Sequence, residues 1–126
     1  MVRKKILLVD DEKGFTAMLK LNLETAGNYD VRVENEADKA INAAMQFKPN
    51  LILMDVIMPK MEGPDVAFEI KSNSMLSSTP IVFLTATVTR DEVEAQGGRI
   101  GGHTFIAKPA LLPELIQSIE NNISLN

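Results

Sequence analysis

The chain of 126 residues contains no cysteine, and it has one histidine, His103. Without cysteine, zinc knuckles, iron–sulfur clusters, thiol nucleophiles and disulfide-stapled scaffolds are excluded, so a bound metal must use oxygen ligands or this histidine. Basic residues are in the minority, with 13 Lys and Arg against 17 Asp and Glu and a net charge of −4. Because binding to a phosphate backbone requires a basic surface, we expect no direct binding to nucleic acid.

Long hydrophobic runs are missing as well. The longest, at residues 6–9, 51–54 and 81–84, have the length of a β-strand and are too short to span a bilayer. The run behind the basic N-terminus ends at Asp10, which makes it too short for a signal peptide. We therefore predict a single domain over residues 1–126 that has no membrane segment and resides in the cytoplasm.

Short apolar runs alternate with stretches of helical periodicity along the chain. Unbroken apolarity is typical of parallel strands that are covered on both faces. The predicted strands are residues 6–9, 29–33, 51–54, 81–85 and 104–107. The predicted helices are residues 15–26, 37–47, 65–71, 91–96 and 112–123, and the fourth is short because four glycines follow it. Five strand–helix alternations predict an α/β fold with a doubly wound parallel sheet.

The residues at the ends of the predicted strands carry the chemistry. Asp10 and Asp11 follow the first strand, Asp55 follows the third, Thr85 ends the fourth and Lys108 follows the fifth. In such a sheet ligands bind beyond the carboxyl ends of the strands. Three carboxylates there would repel one another unless a hard divalent cation, Mg²⁺ or Mn²⁺, neutralised them. A cation, an ammonium and a hydroxyl around one carboxylate favour formation of an aspartyl phosphate on Asp55.

The site residues lie in four segments, ILLVDDE at 6–12, LILMDVIMPKMEG at 51–63, PIVFLTA at 80–86 and FIAKP at 105–109. Together these segments resemble the receiver domain of the two-component response-regulator family. The chain is also close in size to the stand-alone chemotaxis-type members. The resemblance implies a flavodoxin-like (βα)5 fold with five parallel strands in the order 2-1-3-4-5. It further implies that Asp55 accepts a phosphoryl group from a phosphohistidine on a sensor histidine kinase or a histidine phosphotransfer protein.

The resemblance also implies roles for the other site residues. The metal ligands would be the carboxylates of Asp10, Asp11 and Asp55 and the backbone carbonyl of Ile57. Lys108 would contact the phosphoryl oxygens, and its peptide bond to Pro109 would be cis. Thr85 would move toward the phosphoryl group while Phe105 changed between exposed and buried rotamers. An unidentified downstream protein would then bind the face that runs from helix four to helix five.

Other functions are weighed against this one. A haloacid-dehalogenase-type phosphohydrolase places a second Asp where this chain has Ile57, so no side chain is placed to protonate a leaving alcohol, and we expect no separate substrate turnover. An electron carrier of the flavodoxin kind is disfavoured because the acids at 10–12 would repel a flavin phosphate. A phosphorylation-independent interaction module is disfavoured because all five site side chains are present. A receiver module cut from a larger regulator or hybrid kinase remains an alternative.

Overall fold

A computed structural model describes residues 3–86, 89–97, 99–100 and 103–124. Within these residues strands and helices alternate along the chain, as the sequence predicts. The strands are β1 (Lys4–Val9), β2 (Tyr29–Glu34), β3 (Leu51–Met54), β4 (Ile81–Thr85), β5 (Arg99–Ile100) and β6 (His103–Ala107). The helices are α1 (Lys13–Ala26), α2 (Ala40–Phe47, preceded by a 3-10 turn at Ala37–Lys39), α3 (Gly63–Ser72), α4 (Arg90–Ala95) and α5 (Leu112–Ser124). No helix of the described ranges has the length and apolarity to cross a membrane.

The sheet has the predicted core of five parallel strands, in the order β2-β1-β3-β4-β6. The doubly wound fold with the order 2-1-3-4-5 is therefore confirmed. The sheet also contains a sixth strand that the sequence analysis did not predict, because β5 pairs antiparallel with β6 at the edge. A strand of two residues is too short to produce a periodic pattern.

The predicted fourth helix is short, as expected from the glycines behind it. Helix α4 ends at Ala95, and Gly97 has a φ of +65°, a left-handed conformation that glycine adopts without strain. The other three glycines of this stretch, Gly98, Gly101 and Gly102, lie outside the described residues.

Two hydrophobic clusters pack on the two faces of the sheet. Because side chains alternate along a strand, Leu7 and Val9 join the cluster under α2 and α3, whereas Ile6 and Leu8 join the cluster under α1 and α5. All four of these β1 side chains are fully buried. Helices on both faces leave the carboxyl ends of the strands as the open edge of the sheet, where ligands bind in folds of this kind.

A hydrogen-bond network at the opposite end of the sheet ties α5 to β1 and β2. The Lys4 ammonium donates to Oε1 of Glu120, and the Tyr29 hydroxyl donates to Oε2. These two hydrogen bonds hold the pKa of Glu120 below its usual range. A lowered carboxyl pKa adds stability that is present above the pKa of the unfolded chain and is lost as the pH falls through the folded-state pKa.

We expect Glu120→Gln to lower the free energy of unfolding at neutral pH by at most about 1 kcal/mol, because solvent screens a side chain that is 41% exposed. The difference from the wild type should be absent at a pH below the lowered folded-state pKa of Glu120, where the carboxyl is neutral like the amide. Urea titrations at the two pH values measure it, with the exposed Glu69→Gln of α3 as the control. A difference of equal size at both pH values would contradict the electrostatic origin.

Candidate functional site

The register between β1 and β3 brings two of the predicted site carboxylates together. Val9 lies opposite Met54, so the next residues, Asp10 and Asp55, leave the sheet side by side. A hydrogen bond from the Asp55 amide to the Val9 carbonyl, 3.0 Å long, fixes this arrangement. Both acids are buried, Asp10 at 1% and Asp55 at 8% exposure. Buried carboxylates require compensating charge or hydrogen bonds, so we expect a positively charged group or ion beside them at this end of the strands.

The three predicted acids form one cluster. Carboxylate oxygens of Asp10, Asp11 and Asp55 all lie within 4.8 Å of one another, and Asp11 is the exposed member. Hard oxygen donors at this spacing, with one side open to solvent, fit Mg²⁺, which binds one or two carboxylates and keeps several waters. Ile57, whose side chain is half exposed, lies in the loop after Asp55, and its carbonyl stays a predicted ligand.

Lys108 supplies the positive charge inside this cluster. Its Nζ lies 2.6 Å from Oδ2 of Asp10, 3.5 Å from Oε1 of Glu12 and 3.7 Å from Oδ2 of Asp55. The Lys108 side chain is only 11% exposed, and its backbone N–H donates to the Thr85 carbonyl at 2.9 Å. Its peptide bond to Pro109 is cis. The ammonium therefore bridges the two buried aspartates and bonds most closely to Asp10.

Burial and neighbouring charges shift the pKa values of both Asp55 and Lys108. Burial raises the pKa of Asp55; Asp10 adds to the rise, whereas the Lys108 ammonium and hydrogen bonds from Thr85 and the Val56 N–H limit it. For Lys108 burial disfavours the ammonium, but the hydrogen bond to Asp10 and the neighbouring carboxylates outweigh it and raise its pKa. Lys108 is therefore a permanent cation at neutral pH, facing a carboxylate that is deprived of solvent.

The predicted switch residues lie on one face of the sheet. Thr85 is fully buried at the end of β4, two residues after Phe83, and Phe105 of β6 pairs with Phe83. The rings of Phe83 and Phe105 have centroids 5.0 Å apart, and Phe105 is partly buried against the cluster under α2 and α3. A rotamer change of Phe105 coupled to Thr85 stays a prediction.

Sequence reasoning missed Asn35, which fixes the backbone of Asp10, a member of the acid cluster. Its Nδ2 donates to the Asp10 carbonyl at 2.7 Å and to Oγ1 of the buried Thr16 at 3.0 Å. Asn35 follows β2, the neighbour of β1, so the strand-end argument applied to β2 would have found it.

Phe15 was also missed. The Lys108 Nζ lies 4.3 Å from the centroid of its ring, within the range of a cation–π interaction. In the sequence Phe15 belongs to the apolar stripe of α1, and nothing in that pattern distinguishes a ring that packs only in the core from one that also contacts a cation.

Comparisons with known proteins agree with this geometry. The family model for the response regulator receiver domain matches residues 6–120. The alkaline phosphatase synthesis transcriptional regulatory protein PhoP of Bacillus subtilis is 36% identical over 110 residues, covering 86% of this chain and 43% of that protein. A response regulator from Desulfuromonas acetoxidans superimposes with a TM-score of 0.80 at 31% identity, covering 97% and 98% of the two chains. The chemotaxis protein CheY4 of Vibrio cholerae superimposes with a TM-score of 0.80 at 26% identity, covering 95% of this chain and 98% of that one. The chain spans about half the length of the curated relatives it matches.

Proposed function

The chain belongs to the response regulator receiver domain family, and from this premise we propose that it takes a phosphoryl group onto Asp55 from a phosphohistidine of a sensor histidine kinase or a histidine phosphotransfer protein. The observation that carries the proposal is the buried Asp55 carboxylate, which lies beside the Lys108 ammonium and two further acids. An Asp55 oxygen attacks the phosphorus and forms the O–P bond as the P–N bond breaks. The imidazole nitrogen keeps the electron pair and takes up a proton.

The surrounding residues act by position and charge. Lys108 neutralises charge on the phosphoryl oxygens, and the Thr85 hydroxyl hydrogen-bonds to the product. Asp10, Asp11, Asp55 and the Ile57 carbonyl would hold Mg²⁺ or Mn²⁺. When bound, the ion supplies a second positive charge for the transferring group and relieves the repulsion among the acids.

We also propose that the chemistry is limited to phosphorylation and dephosphorylation of the chain itself. Release of an alcohol from a phosphate ester requires a general acid near the leaving group. Ile57, two residues after Asp55, offers none, and its half-exposed side chain is apolar.

The phosphorylated form acts by binding another protein or domain through an altered surface. A phosphoryl group that draws Thr85 inward leaves space for Phe105, which changes the face formed by β4, α4, β6 and α5. The relatives that are transcriptional regulators extend beyond the matched part, which supports an output through the remainder of a longer regulator. The match that covers 98% of a chemotaxis protein supports an output through a separate partner. We place the reaction in the cytoplasm, where a histidine kinase draws on ATP.

Intact mass after incubation with acetyl phosphate tests the proposal. We expect the wild type to gain one phosphoryl group in the presence of Mg²⁺ and none with a chelator, because the uncompensated acids repel the donor. Asp55→Asn should gain none under either condition. Asp30→Asn, an exposed acid at the other end of the sheet, is the matched control and should react like the wild type.

A folded wild type that gains no phosphoryl group would overturn the proposal. An adduct that persists in Asp55→Asn would overturn the assignment of Asp55, and peptide mapping would then locate the acceptor.

A further inference from the structure

We propose that Phe15 is a positioning residue whose aromatic face holds the Lys108 ammonium near Asp55 while the acids bind a cation. The inference rests on the proposed function and adds to it a residue outside the strand-end cluster. Its basis is the 4.3 Å separation between the Lys108 Nζ and the centroid of the Phe15 ring. The ring itself is held in place, because Phe15 is partly buried and packs against the cluster under α1 and α5.

Binding of a divalent cation to the acids would weaken the attraction between these carboxylates and the Lys108 ammonium. The closest partner of the ammonium is Oδ2 of Asp10 at 2.6 Å, whereas Oδ2 of Asp55 lies 3.7 Å away. Asp10 also belongs to the group of acids that fits a divalent cation. An oxygen shared with such a cation attracts the ammonium less, since the two positive charges repel each other.

An aromatic ring attracts the ammonium without using a carboxylate oxygen and without adding charge. Its negative face binds a cation by its quadrupole, and this attraction is stronger where solvent is excluded. The Lys108 side chain is 11% exposed, so the contact is largely desolvated. A carboxylate in place of Phe15 would add a fourth acid to the cluster, and an aliphatic side chain would fill the space without attracting the ammonium.

Rates of phosphorylation by acetyl phosphate at saturating Mg²⁺ test the role, because a small donor does not depend on docking of a kinase. We expect Phe15→Leu to react about tenfold more slowly, and Phe15→Tyr, which keeps the ring, to restore the rate. Met18→Leu is the control, since Met18 lies three residues further along α1 and is exposed. It should react like the wild type. An unchanged rate in Phe15→Leu would overturn the proposal.

A graded series separates the ring's electrostatics from its packing. Phenylalanine with one, two or three fluorine atoms keeps nearly the same shape while the negative potential of the ring face decreases. We expect the logarithm of the rate to fall steadily with each fluorine while the melting temperature changes little. A rate that followed the melting temperature and not the fluorine count would reduce Phe15 to a packing residue and overturn the proposal.

NMR of the Lys108 ε-methylene protons provides a readout that is independent of activity. Ring currents should shift these protons upfield in the wild type, and the shift should persist when Mg²⁺ is added and vanish in Phe15→Leu. Loss of the shift on addition of Mg²⁺ would overturn the positioning role. If the wild type shows the shift but forms no adduct, the proposed function fails; if the wild type reacts and Phe15→Leu reacts equally fast, the Phe15 proposal fails alone.

Discussion

Replacing Lys108 with methionine is expected to slow phosphorylation by acetyl phosphate about 100- to 1,000-fold at saturating Mg²⁺. Methionine retains much of the apolar stem of lysine but removes the ammonium that lies 3.7 Å from the Asp55 carboxylate. The Lys108 side chain is only 11% exposed, so water replaces its missing charge poorly and the loss falls on the transition state. Quench-flow or mass-spectrometric time courses measure the rate, and Asp55→Asn sets the background.

The same substitution should destabilise the protein when no divalent cation is present. It leaves Asp10, whose side chain is 2% exposed, without the partner that lies 2.6 Å from it. Breaking a buried ion pair by removing one partner costs about 3–5 kcal/mol. Urea titrations in chelator should show this loss, and Mg²⁺ should recover more stability in the variant than it adds to the wild type, because the ion then supplies the missing positive charge.

Lys13→Met is the matched control for both measurements. Lys13 is exposed at the start of α1, close to the acids in sequence, and its replacement removes the same charge from the chain. It should change the rate and the stability little. If Lys108→Met were as stable as Lys13→Met in chelator, the assignment of Lys108 as the counter-charge of the acid cluster would be wrong.

How far the site follows from the sequence depends on which contacts the sheet itself dictates. Apolar runs set the strands, and parallel pairing brings their carboxyl ends to one edge, which is why Asp10, Asp55, Thr85 and Lys108 lie together. Because Val9 pairs with Met54, the residues that follow them, Asp10 and Asp55, lie side by side. These convergences need only the order and direction of the strands.

Contacts that depend on how long side chains pack are not encoded in a strand pattern. The family resemblance assigns the Lys108 ammonium to the phosphoryl oxygens, but in the structure it bonds most closely to Asp10. The Lys108 ammonium also lies near Glu12, in the loop before α1, and over the ring of Phe15 in α1. The packing of α1 on the sheet brings both side chains to the site. The two-residue strand β5 was missed because a strand of that length produces no periodic pattern in the sequence.

Replacing Gly63 with alanine is expected to slow phosphorylation by up to about 100-fold and to cost about 3 kcal/mol of stability. A Cβ at position 63 would lie 2.2 Å from the carbonyl oxygen of Asp55 and 3.0 Å from Cα of Val56. Both obstacles are backbone, so no side-chain rotation relieves the clash. The start of α3 or the loop after Asp55 has to move by about 1 Å, which displaces the attacking carboxylate.

The requirement for glycine at this position comes from space and not from backbone conformation, since Gly63 is not in the left-handed region. Its N–H donates to the Val56 carbonyl at 2.7 Å, and this hydrogen bond holds the start of α3 against the loop that carries Asp55. A displaced loop would also move the Val56 N–H, which donates to Oδ1 of Asp55 at 2.8 Å. The rate should therefore fall even where Gly63→Ala remains folded.

Gly14→Ala provides the matched control. Gly14 lies in the first turn of α1, and a Cβ there would meet nothing within 4 Å. Alanine should therefore stabilise the protein by up to about 1 kcal/mol through its higher helix propensity and leave the rate unchanged. Thermal unfolding and the acetyl phosphate assay compare the two variants under one set of conditions. If Gly63→Ala reacted as fast as Gly14→Ala, the close approach of α3 would not position Asp55, and the geometry of the acceptor would have to be set by β3 alone.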